Sequence, residues 1–321
     1  MRAAVLHEHG ATPRCGDFPD PPAAADAGAV VVDVAAAGLH HLDLHKATGT
    51  FYTGPPPLPS VVGTDGVGRL AGGRRVYFDA TVAPYGSMAE RALVRHEALF
   101  EVAEGVDDAG AAALGNTGLG AWLALTWRAG VRPGETVLIL GATGAFGTVA
   151  VQAAKVLRAG RVVAAARPSE RLEALLERGA DAVVELDGAP DLHERLRAAA
   201  DGEVHVTLDT LWGEPGRAAI AVAARFARHL EVGNLAGLDV TLPATALRST
   251  SLDLRGFSVA HPPPDVRRAG YLELTRHVAR GDIAVDVETC PLERVDAAWE
   301  RQRAASGGPK LVLLPGKEPT P

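Results

Sequence analysis

The segment LHHLDLH, residues 39–45, places three histidines and one aspartate within seven positions. Imidazole and carboxylate groups are common ligands of zinc and related metals. His41 and His45 would share one face if the segment is helical, and Asp43 or Asp65 would then have to supply a third ligand. Alternatively, the histidines line a polar pocket or a solvated loop. The segment therefore poses a choice between a Lewis-acid site and a metal-free polar cluster.

A second segment with a chemical signature is TVLILGATGAFGTVAVQAAK, residues 136–155. A strand pattern ends at Leu140, a glycine-rich turn follows, and a helical pattern begins at once. The pyrophosphate of a dinucleotide needs such a turn, with free backbone N–H groups at a helix N-terminus and no side chain in its way. Ala142 alters the usual GxGxxG form, but the outer glycine spacing is kept. We predict a dinucleotide cradle formed by Gly141, Ala142, Thr143, Gly144, Ala145, Phe146 and Gly147.

The residues after the next strand, RVVAAA, bear on the choice of dinucleotide. NAD-binding proteins usually carry a carboxylate at this point to accept the ribose hydroxyls. Here Arg167 follows the strand directly and Arg171 lies four positions later. Guanidinium groups bind phosphate through bidentate, charge-assisted hydrogen bonds. The pattern therefore favours NADPH over NADH, whereas the alternative is that both arginines pair with Glu170 and Glu173.

The elements that would position these residues differ along the chain. Up to about residue 102, short β-rich runs are separated by Gly and Pro, which is typical of a mostly antiparallel or barrel-like unit. After Asp107, strands alternate with helices, which predicts a parallel, doubly wound sheet. Its predicted strands are TVLIL (136–140), RVVAAA (161–166), AVVEL (182–186), VHVTLD (204–209) and HLEVG (229–233).

The C-terminal part of the chain gives two further expectations. A helix, YLELTRHVARG, and a closing strand, KLVLL, follow residue 259. We expect both to return to the first domain, which would make that domain discontinuous. The strand-like segment SLDLRGFSV is expected at the edge of the parallel sheet, where an unpaired strand favours pairing with a second chain. A homodimer is therefore expected.

The composition excludes several other classes of function. The 321 residues carry a formal net charge of −7, so the chain has no basic field to attract nucleic acid. The longest apolar runs are too short to cross a bilayer, and the N-terminus lacks a signal-peptide core. We therefore expect a cytoplasmic protein without nucleic-acid or membrane partners. Cys15 and Cys290 match no CxxC spacing and are expected to be free thiols.

Seven segments in the same order resemble the medium-chain dehydrogenase/reductase superfamily, and within it the zinc-free quinone oxidoreductase (zeta-crystallin-like) branch. They are AAGLHHLDLHKATGTFY, PLPSVVGTDGVGRL, GSMAERALV, AAALGNTGLGAWLAL, LGATGAFGTVAVQAAK, LEVGNLAG and GGPKLVLLP. The resemblance covers nearly the whole chain. It implies an α/β protein in which a β-rich, GroES-like catalytic domain spans 1–113 and 260–321. A Rossmann domain, which binds the dinucleotide, would span 114–259.

The same resemblance addresses the histidine cluster. At the three positions where zinc enzymes of the superfamily carry their catalytic metal ligands, this chain has His40, Thr64 and Asn116. An imidazole, a hydroxyl and an amide do not make the usual zinc donor set. The four-cysteine structural zinc lobe is missing as well. The resemblance therefore implies no metal. The zinc-free branch has an Asn at the position of His40 and a Tyr near His45, so the substrate pocket departs from that pattern.

The resemblance also implies further cofactor contacts. Arg171 matches a Lys that binds NADPH in the family, whereas Leu186 replaces a Tyr contact. Trp212 stands where the family has a glycine after the fourth strand, which would put a bulky ring near the cofactor. The backbone regions that line the nicotinamide in relatives match Gly233, Asn234, Phe257 and Ser258.

These observations lead to one functional hypothesis and two alternatives. The hypothesis is NADPH-dependent hydride transfer to a small-molecule quinone or α,β-unsaturated carbonyl without a metal. Hydrogen-bond donors must then meet the developing oxyanion. We expect His40 and Asn116 to do so, with Tyr52 or His45 as the proton source. The alternatives are a zinc-type alcohol dehydrogenase with atypical ligands and a non-catalytic NADPH-binding protein with a structural or regulatory role.

Overall fold

The computed structural model describes residues 1–22, 28–52, 54–304 and 307–316, and the chain divides into two units. The first unit comprises Met1–Leu119, Pro263–Gly281 and Val285–Pro321, and the second comprises Gly120–Pro262 and Asp282–Ala284. These units divide at 119/120 and 262/263, whereas the sequence predicts domain bounds at 113/114 and 259/260, which stay a prediction. Helical turns occupy the stretch from 108 to 129, so no break in the sequence pattern marks the first division.

The strands and helices of the described residues are as follows. The strands are β1 Arg2–Leu6, β2 Arg14–Asp17, β3 Ala29–Gly38, β4 Ser60–Val61, β5 Gly66–Arg69, β6 Arg75–Phe78, β7 Arg91–Arg95, β8 Leu99–Phe100, β9 Thr136–Leu140, β10 Arg161–Ala166, β11 Ala182–Glu185, β12 Val204–Asp209, β13 Ala223–Glu231, β14 Asp253–Gly256, β15 Val287–Pro291 and β16 Lys310–Leu314. The α-helices are α1 His41–Ala47, α2 Asp108–Ala113, α3 Gly120–Leu123, α4 Ala145–Val156, α5 Glu170–Glu173, α6 Leu192–Ala199, α7 Gly213–Ile220, α8 Ala244–Arg248, α9 Pro264–Ala279 and α10 Val295–Ala304.

The first unit is built on two sheets. One has the order β2-β1-β4, and the other has the order β15-β16-β3-β5-β6-β8 with β7 also paired to β3. All of these pairings are antiparallel except β15 with β16. In β3 the valines at 32 and 34 are buried while Asp33 between them is exposed, which is the alternation of a strand with one face in a core. The β-rich first domain, including the return of α9 and β16 to it, is confirmed.

The second unit is a parallel sheet with the order β11-β10-β9-β12-β13-β14. Its central strands are buried on both faces, so they have continuous apolar runs such as TVLIL rather than alternation. This doubly wound arrangement confirms the predicted fold. β13 begins at Ala223, earlier than the HLEVG run indicates. Phe226 has a φ of +62° and interrupts the alternation, so the sequence pattern does not reveal the first part of the strand.

Three smaller expectations can be compared with the structure. β14 pairs only with β13 in the described part of the sheet, so it lies at an edge, while the homodimer stays a prediction. Cys15 and Cys290 are free thiols, as expected. Among the described residues, no helix combines the length and apolar character that crossing a bilayer requires.

Gly68 is the glycine on which the β3–β5 pairing depends most directly. It lies opposite Val34, where the register between the two strands shifts by a bulge. A Cβ at Gly68 would overlap the carbonyl oxygen of Asp33 and lie 2.6 Å from Cγ1 of Val32. The strand sequence therefore needs a residue without a side chain at this position.

We expect Gly68→Ala to lower the free energy of unfolding by about 1–3 kcal/mol, the usual cost of overpacking. Thermal or urea denaturation measures the change. Gly72→Ala is the matched control, because no atom lies within 4 Å of a Cβ at Gly72. It should change stability by less than about 0.5 kcal/mol. Equal stabilities of the two variants would contradict the proposed clash.

Candidate active site

His40 is held at the start of α1 by a reciprocal pair of hydrogen bonds. Its backbone is extended (φ −121°, ψ 159°), and its N–H donates to Oδ2 of Asp43 at 2.8 Å while the N–H of Asp43 donates to the carbonyl of His40. Oδ1 of Asp43 accepts from the hydroxyl of Thr64 at 2.8 Å. An acidic residue in the first turn satisfies otherwise unpaired N–H groups, so this local sequence fixes where the helix begins.

The imidazole of His40 contacts a fully buried carboxylate. Nε2 of His40 lies 2.6 Å from Oδ1 of Asp65. Oδ2 of Asp65 accepts from the Tyr77 hydroxyl at 3.0 Å and from the backbone N–H of Asn116 at 2.7 Å. A Cβ at Gly115 would overlap Oδ2 of Asp65, so a residue without a side chain is needed beside it. Asp65 is therefore the common acceptor of the site.

Hydrogen bonding determines the protonation of this pair. Burial alone would raise the pKa of the Asp65 carboxyl, but His40, the N–H of Asn116 and nearby Lys310 together lower it. Burial and the charge of Asp65 raise the pKa of Tyr77 well above its ordinary value. Tyr77 therefore stays protonated and donates, while Asp65 stays ionised and accepts.

Lys310, the first residue of β16, brings a buried positive charge to the same place. Its ammonium nitrogen lies 2.7 Å from Nδ1 of His40 and 2.5 Å from the carbonyl oxygen of Leu39. Burial lowers the pKa of Lys310 from 10.5 to about 8, although the negative charges of Asp65 and Asp43 act to raise it. Because an ammonium can only donate, Nδ1 of His40 accepts from it. The proton of a neutral His40 ring then lies on Nε2, facing Asp65.

Thr117 completes the set of groups around the imidazole. Its hydroxyl oxygen lies 3.0 Å from Nδ1 of His40. The side chains of His40, Asp65 and Lys310 are buried, whereas Thr117 is only half-buried. Carboxylate, imidazole and hydroxyl are thus hydrogen-bonded in sequence from the interior outward. A chain of this kind can hold a proton and pass it along.

The residues expected to act on a substrate are not all in this network. His40 is central to it, and Asn116 joins it through its backbone N–H rather than its amide. Tyr52 is 75% exposed and packs against Phe51 with 4.1 Å between ring centroids. His45 is exposed on α1. Neither the Tyr52 hydroxyl nor the His45 ring is bonded to Asp65 or His40.

Sequence reasoning missed Lys310 and Thr117 and considered Asp65 only as a metal ligand. Lys310 opens a strand with the pattern KLVLL, where a lysine at the strand end normally reaches solvent. Its 5% exposure in the structure shows the opposite. Thr117 lies 77 positions from His40, so no local spacing could pair them. The buried partner of a histidine cluster is a long-range property of the fold.

In the second unit, the glycine-rich turn has the shape expected for a phosphate cradle. Gly141 follows β9 with a φ of +79°, and α4 begins directly after Gly144. A Cβ at Gly147 would lie 2.5 Å from both Cα of Ala142 and the carbonyl oxygen of Gly141. The helix therefore packs closely on the turn, with its first N–H groups at the carboxyl end of β9. The pyrophosphate of a dinucleotide fits this arrangement.

Other predicted cofactor residues lie at the same end of the sheet. The hydroxyl of Thr210, after β12, donates to the carbonyl of Leu140 at 3.0 Å. A Cβ at Gly233 would lie 3.1 Å from the carbonyl oxygen of Thr210. The N–H of Phe257 donates to the carbonyl of Glu231 at 2.9 Å. The turns after β9, β12, β13 and β14 therefore meet where parallel sheets usually bind ligands.

The two arginines expected to contact a 2′-phosphate lie beyond β10. Arg167 follows the strand, and Arg171 lies on α5, whose start is capped by the hydroxyl of Ser169 accepting from the N–H of Leu172. Both arginine side chains are exposed. Trp212 has a φ of +55°, and its ring packs edge-on against His229 with 6.1 Å between centroids.

Known proteins resemble both units. A family model described as "Zinc-binding dehydrogenase" matches residues 145–274. Quinone oxidoreductase-like protein 2 of Mus musculus is 28% identical over 239 residues, 71% of this chain and 67% of that protein. The solved quinone oxidoreductase of Thermus thermophilus, also studied as a complex with NADPH, is 29% identical with a TM-score of 0.80 over 98% of this chain and 100% of that one. In sequence and in fold, the chain is therefore similar to quinone oxidoreductases.

A further relative is prostaglandin reductase 1 of Bos taurus, 31% identical over 176 residues, or 53% of each chain. The alignments with these two curated relatives span between about half and two thirds of their lengths.

Zinc, which the description of the family model implies, does not fit the corresponding residues of this chain. Both ring nitrogens of His40 already contact Asp65 and the ammonium of Lys310, whose charge opposes a cation. The hydroxyl of Thr64 donates to Asp43 and accepts from Lys46 at 3.3 Å. Within 1–22, 28–52, 54–304 and 307–316, no three His, Cys, Asp or Glu side chains are grouped to hold a metal. α1 is helical as supposed for His41 and His45, but no third ligand joins them there.

The buried position of Lys310 has a consequence for the pH dependence of stability. Between the folded pKa of about 8 and the unfolded value of 10.5, the unfolded chain binds more protons than the native one. Stability contributed by this group therefore rises with pH across that window. Between pH 8 and pH 10.5, we expect the free energy of unfolding of wild type, relative to that of Lys310→Met, to increase by at most about 3 kcal/mol. This figure is the difference between the two pKa values multiplied by about 1.36 kcal/mol per pKa unit. Urea denaturation of both proteins at a series of pH values measures this. A difference that stays constant with pH would show that Lys310 titrates normally.

Proposed function

We propose that this chain is an NADPH-dependent reductase that transfers hydride to a quinone or an α,β-unsaturated carbonyl without a metal. The observation that carries the proposal is the glycine cradle at Gly141, Gly144 and Gly147, at the start of α4 in a parallel sheet. The quinone oxidoreductases and prostaglandin reductase to which the chain is similar support the substrate class.

The cofactor would be held by the second unit. The backbone of residues 141–147 and the N-terminus of α4 would meet the pyrophosphate, with the side chain of Phe146 beside Gly120. Gly233, Asn234, Phe257 and Ser258 would line the nicotinamide. NADPH is favoured because Arg167 and Arg171 follow β10 where NAD-binding proteins carry a carboxylate. The complex of the Thermus thermophilus relative with NADPH supports the same choice.

When bound, NADPH supplies a hydride to an electron-poor carbon of the substrate. The task of the chain is to orient the substrate and to meet the oxygen that becomes negative. The candidate donors are the Asn116 amide and the hydrogen-bonded network that contains His40. Tyr52 and His45 remain candidate proton sources at the surface of the first unit.

The edge of the parallel sheet offers a route to assembly. β14 presents an unpaired edge in the described part of its sheet, which suits pairing with the same strand of a second copy. The proposed state is a cytoplasmic homodimer that acts on a small molecule.

Purified wild-type protein should consume NADPH when 1,4-naphthoquinone or a medium-chain enone is added. Loss of NADPH absorbance measures the rate, and isothermal titration calorimetry measures NADPH binding without turnover. Protein prepared without a histidine tag should contain no stoichiometric zinc, and a chelator should leave the rate unchanged.

Other outcomes would favour the alternatives. Tight NADPH binding without turnover on any quinone or enone would indicate a non-catalytic NADPH-binding protein. One zinc per chain, with activity lost on chelation, would indicate a zinc-type alcohol dehydrogenase with atypical ligands. No heat on titration with NADPH would contradict the whole proposal, because it depends on NADPH binding.

The double variant Arg167→Ala/Arg171→Ala should weaken NADPH binding by roughly 10- to 100-fold, because a hydrogen bond to a charged group contributes about 1.5–3 kcal/mol. NADH binding should change by less than about twofold, since NADH lacks the 2′-phosphate. Arg225→Ala is the matched control, because Arg225 is an exposed arginine near the amino-terminal end of β13. Equal losses of affinity for NADPH and NADH would show that the arginines do not bind the 2′-phosphate.

A further inference from the structure

The hydroxyl of Thr117 is the outermost group of a hydrogen-bonded chain whose other members are buried. Lys310 Nζ, His40 Nδ1 and Thr117 Oγ1 follow one another at 2.7 Å and 3.0 Å. On the far side of the ring, Nε2 of His40 lies 2.6 Å from Oδ1 of Asp65. Of these four side chains, only Thr117 is partly open to its surroundings.

We propose that Thr117 donates the proton to the substrate oxygen, and that Lys310 resupplies it through His40. The inference rests on the proposed reductase function and names the proton donor of that reaction. It assigns catalysis to a hydroxyl, with the imidazole and the ammonium as the relay behind it.

The proton transfers balance as follows. The substrate oxygen, which becomes anionic as hydride reaches the substrate carbon, takes the proton of the Thr117 hydroxyl. Oγ1 takes the proton of Nδ1–H of His40, and Nδ1 has taken its proton from the Lys310 ammonium. The O–H bond of the product forms, one N–H bond of Lys310 breaks, and a neutral amine remains. After product leaves, the same relay carries a proton from water back to Lys310.

Asp65 makes the intermediate stage of this relay accessible. When Nδ1 receives a proton, His40 is briefly an imidazolium, and Nε2–H donates to the ionised Asp65. A buried imidazolium without a carboxylate would be costly, whereas a hydrogen-bonded ion pair is much less so. Tyr77 and the Asn116 N–H keep Asp65 ionised and in place.

The structure favours Thr117 over the other candidate donors. Both nitrogens of His40 are occupied by protein partners and the ring is 4% exposed, so His40 would have to break a contact to reach substrate directly. Tyr52 and His45 are exposed, and the hydrogen bonds of His40 do not join it to the Tyr52 hydroxyl or to the His45 ring. Thr117 combines partial exposure with a direct contact to the relay.

The charges that face Lys310 determine when it can give up a proton. Asp65 and Asp43 favour the ammonium, whereas burial disfavours it more strongly. On the α1 side, His40 contacts Lys310 and His41 lies close enough for its charge to compete with that of Lys310. The lowered pKa of Lys310, about 8, supports a proton that is held at neutral pH and released readily. Turnover that needs this proton should fall as the pH rises through that value.

The test compares Thr117→Val, which keeps the shape but removes the hydroxyl, with Thr117→Ser, which keeps the hydroxyl. Thr117→Val should lower kcat by about 100-fold or more with little change in KM, within the range for general acid catalysis. Thr117→Ser should stay within about tenfold of wild type, since it retains the donor. Thr289→Val, at an exposed threonine in β15, is the matched control and should behave as wild type.

Two readouts separate catalysis from structure. Wild-type kcat should fall above a pH of about 8, and Lys310→Met should be slow at every pH without that fall. Binding of 4-nitrophenolate, an anionic oxygen probe, should weaken about tenfold or more in Thr117→Val, the loss of one hydrogen bond to a charged group. This binding is measured by titration and needs no turnover.

The outcomes distinguish this inference from the proposed function. Absence of turnover by wild type on all quinones and enones overturns both. Turnover by wild type that Thr117→Val retains in full overturns the relay alone, as does equal phenolate binding by the two proteins. A wild-type rate that does not fall between pH 7 and pH 9 overturns the role of Lys310.

Discussion

The burial of the Asp65 carboxylate is the constraint on which the polar site of the first unit depends. An ionised group without water must have its oxygens hydrogen-bonded, or it protonates. The chain meets this requirement with the ring of His40, the hydroxyl of Tyr77 and the backbone of Asn116. Lys310 then balances the charge from the far side of the imidazole. Together these groups supply the hydrogen bonds and the opposite charge that an ionised, buried Asp65 requires.

The second unit follows a different constraint, set by backbone rather than by charge. Parallel strands all end at one edge of the sheet, so the turns that follow them have to share a small space. Gly141 and Gly147 make the closest approaches there, since a Cβ at either would overlap or nearly overlap neighbouring atoms. The result is a helix start at Gly144 whose first N–H groups have no partner within the helix, which suits an anion.

What could be predicted from the sequence follows from this difference. The cradle lies in one continuous segment, and the strand before it and the helix after it have strong local patterns. The sequence alone therefore predicts both the fold and a candidate phosphate site. The network around Asp65 joins positions 40, 65, 77, 117 and 310, which no local pattern relates. The histidine at position 40 could be singled out by type, but its partners could not. A lysine at a strand end is normally solvated, so the pattern around 310 predicts an exposed side chain, whereas the structure buries it.

The same network explains how this chain differs from a zinc enzyme at the corresponding positions. A catalytic zinc would need lone pairs from several side chains directed at one point. Here the lone pairs of Asp65 are directed at donors, and the ammonium of Lys310 occupies the side of His40 where a second cation would be repelled. Asp65 and Lys310 are coupled through one ring, so losing either alone would leave the other as an uncompensated buried charge. A metal site could therefore arise here only if several of these residues changed together.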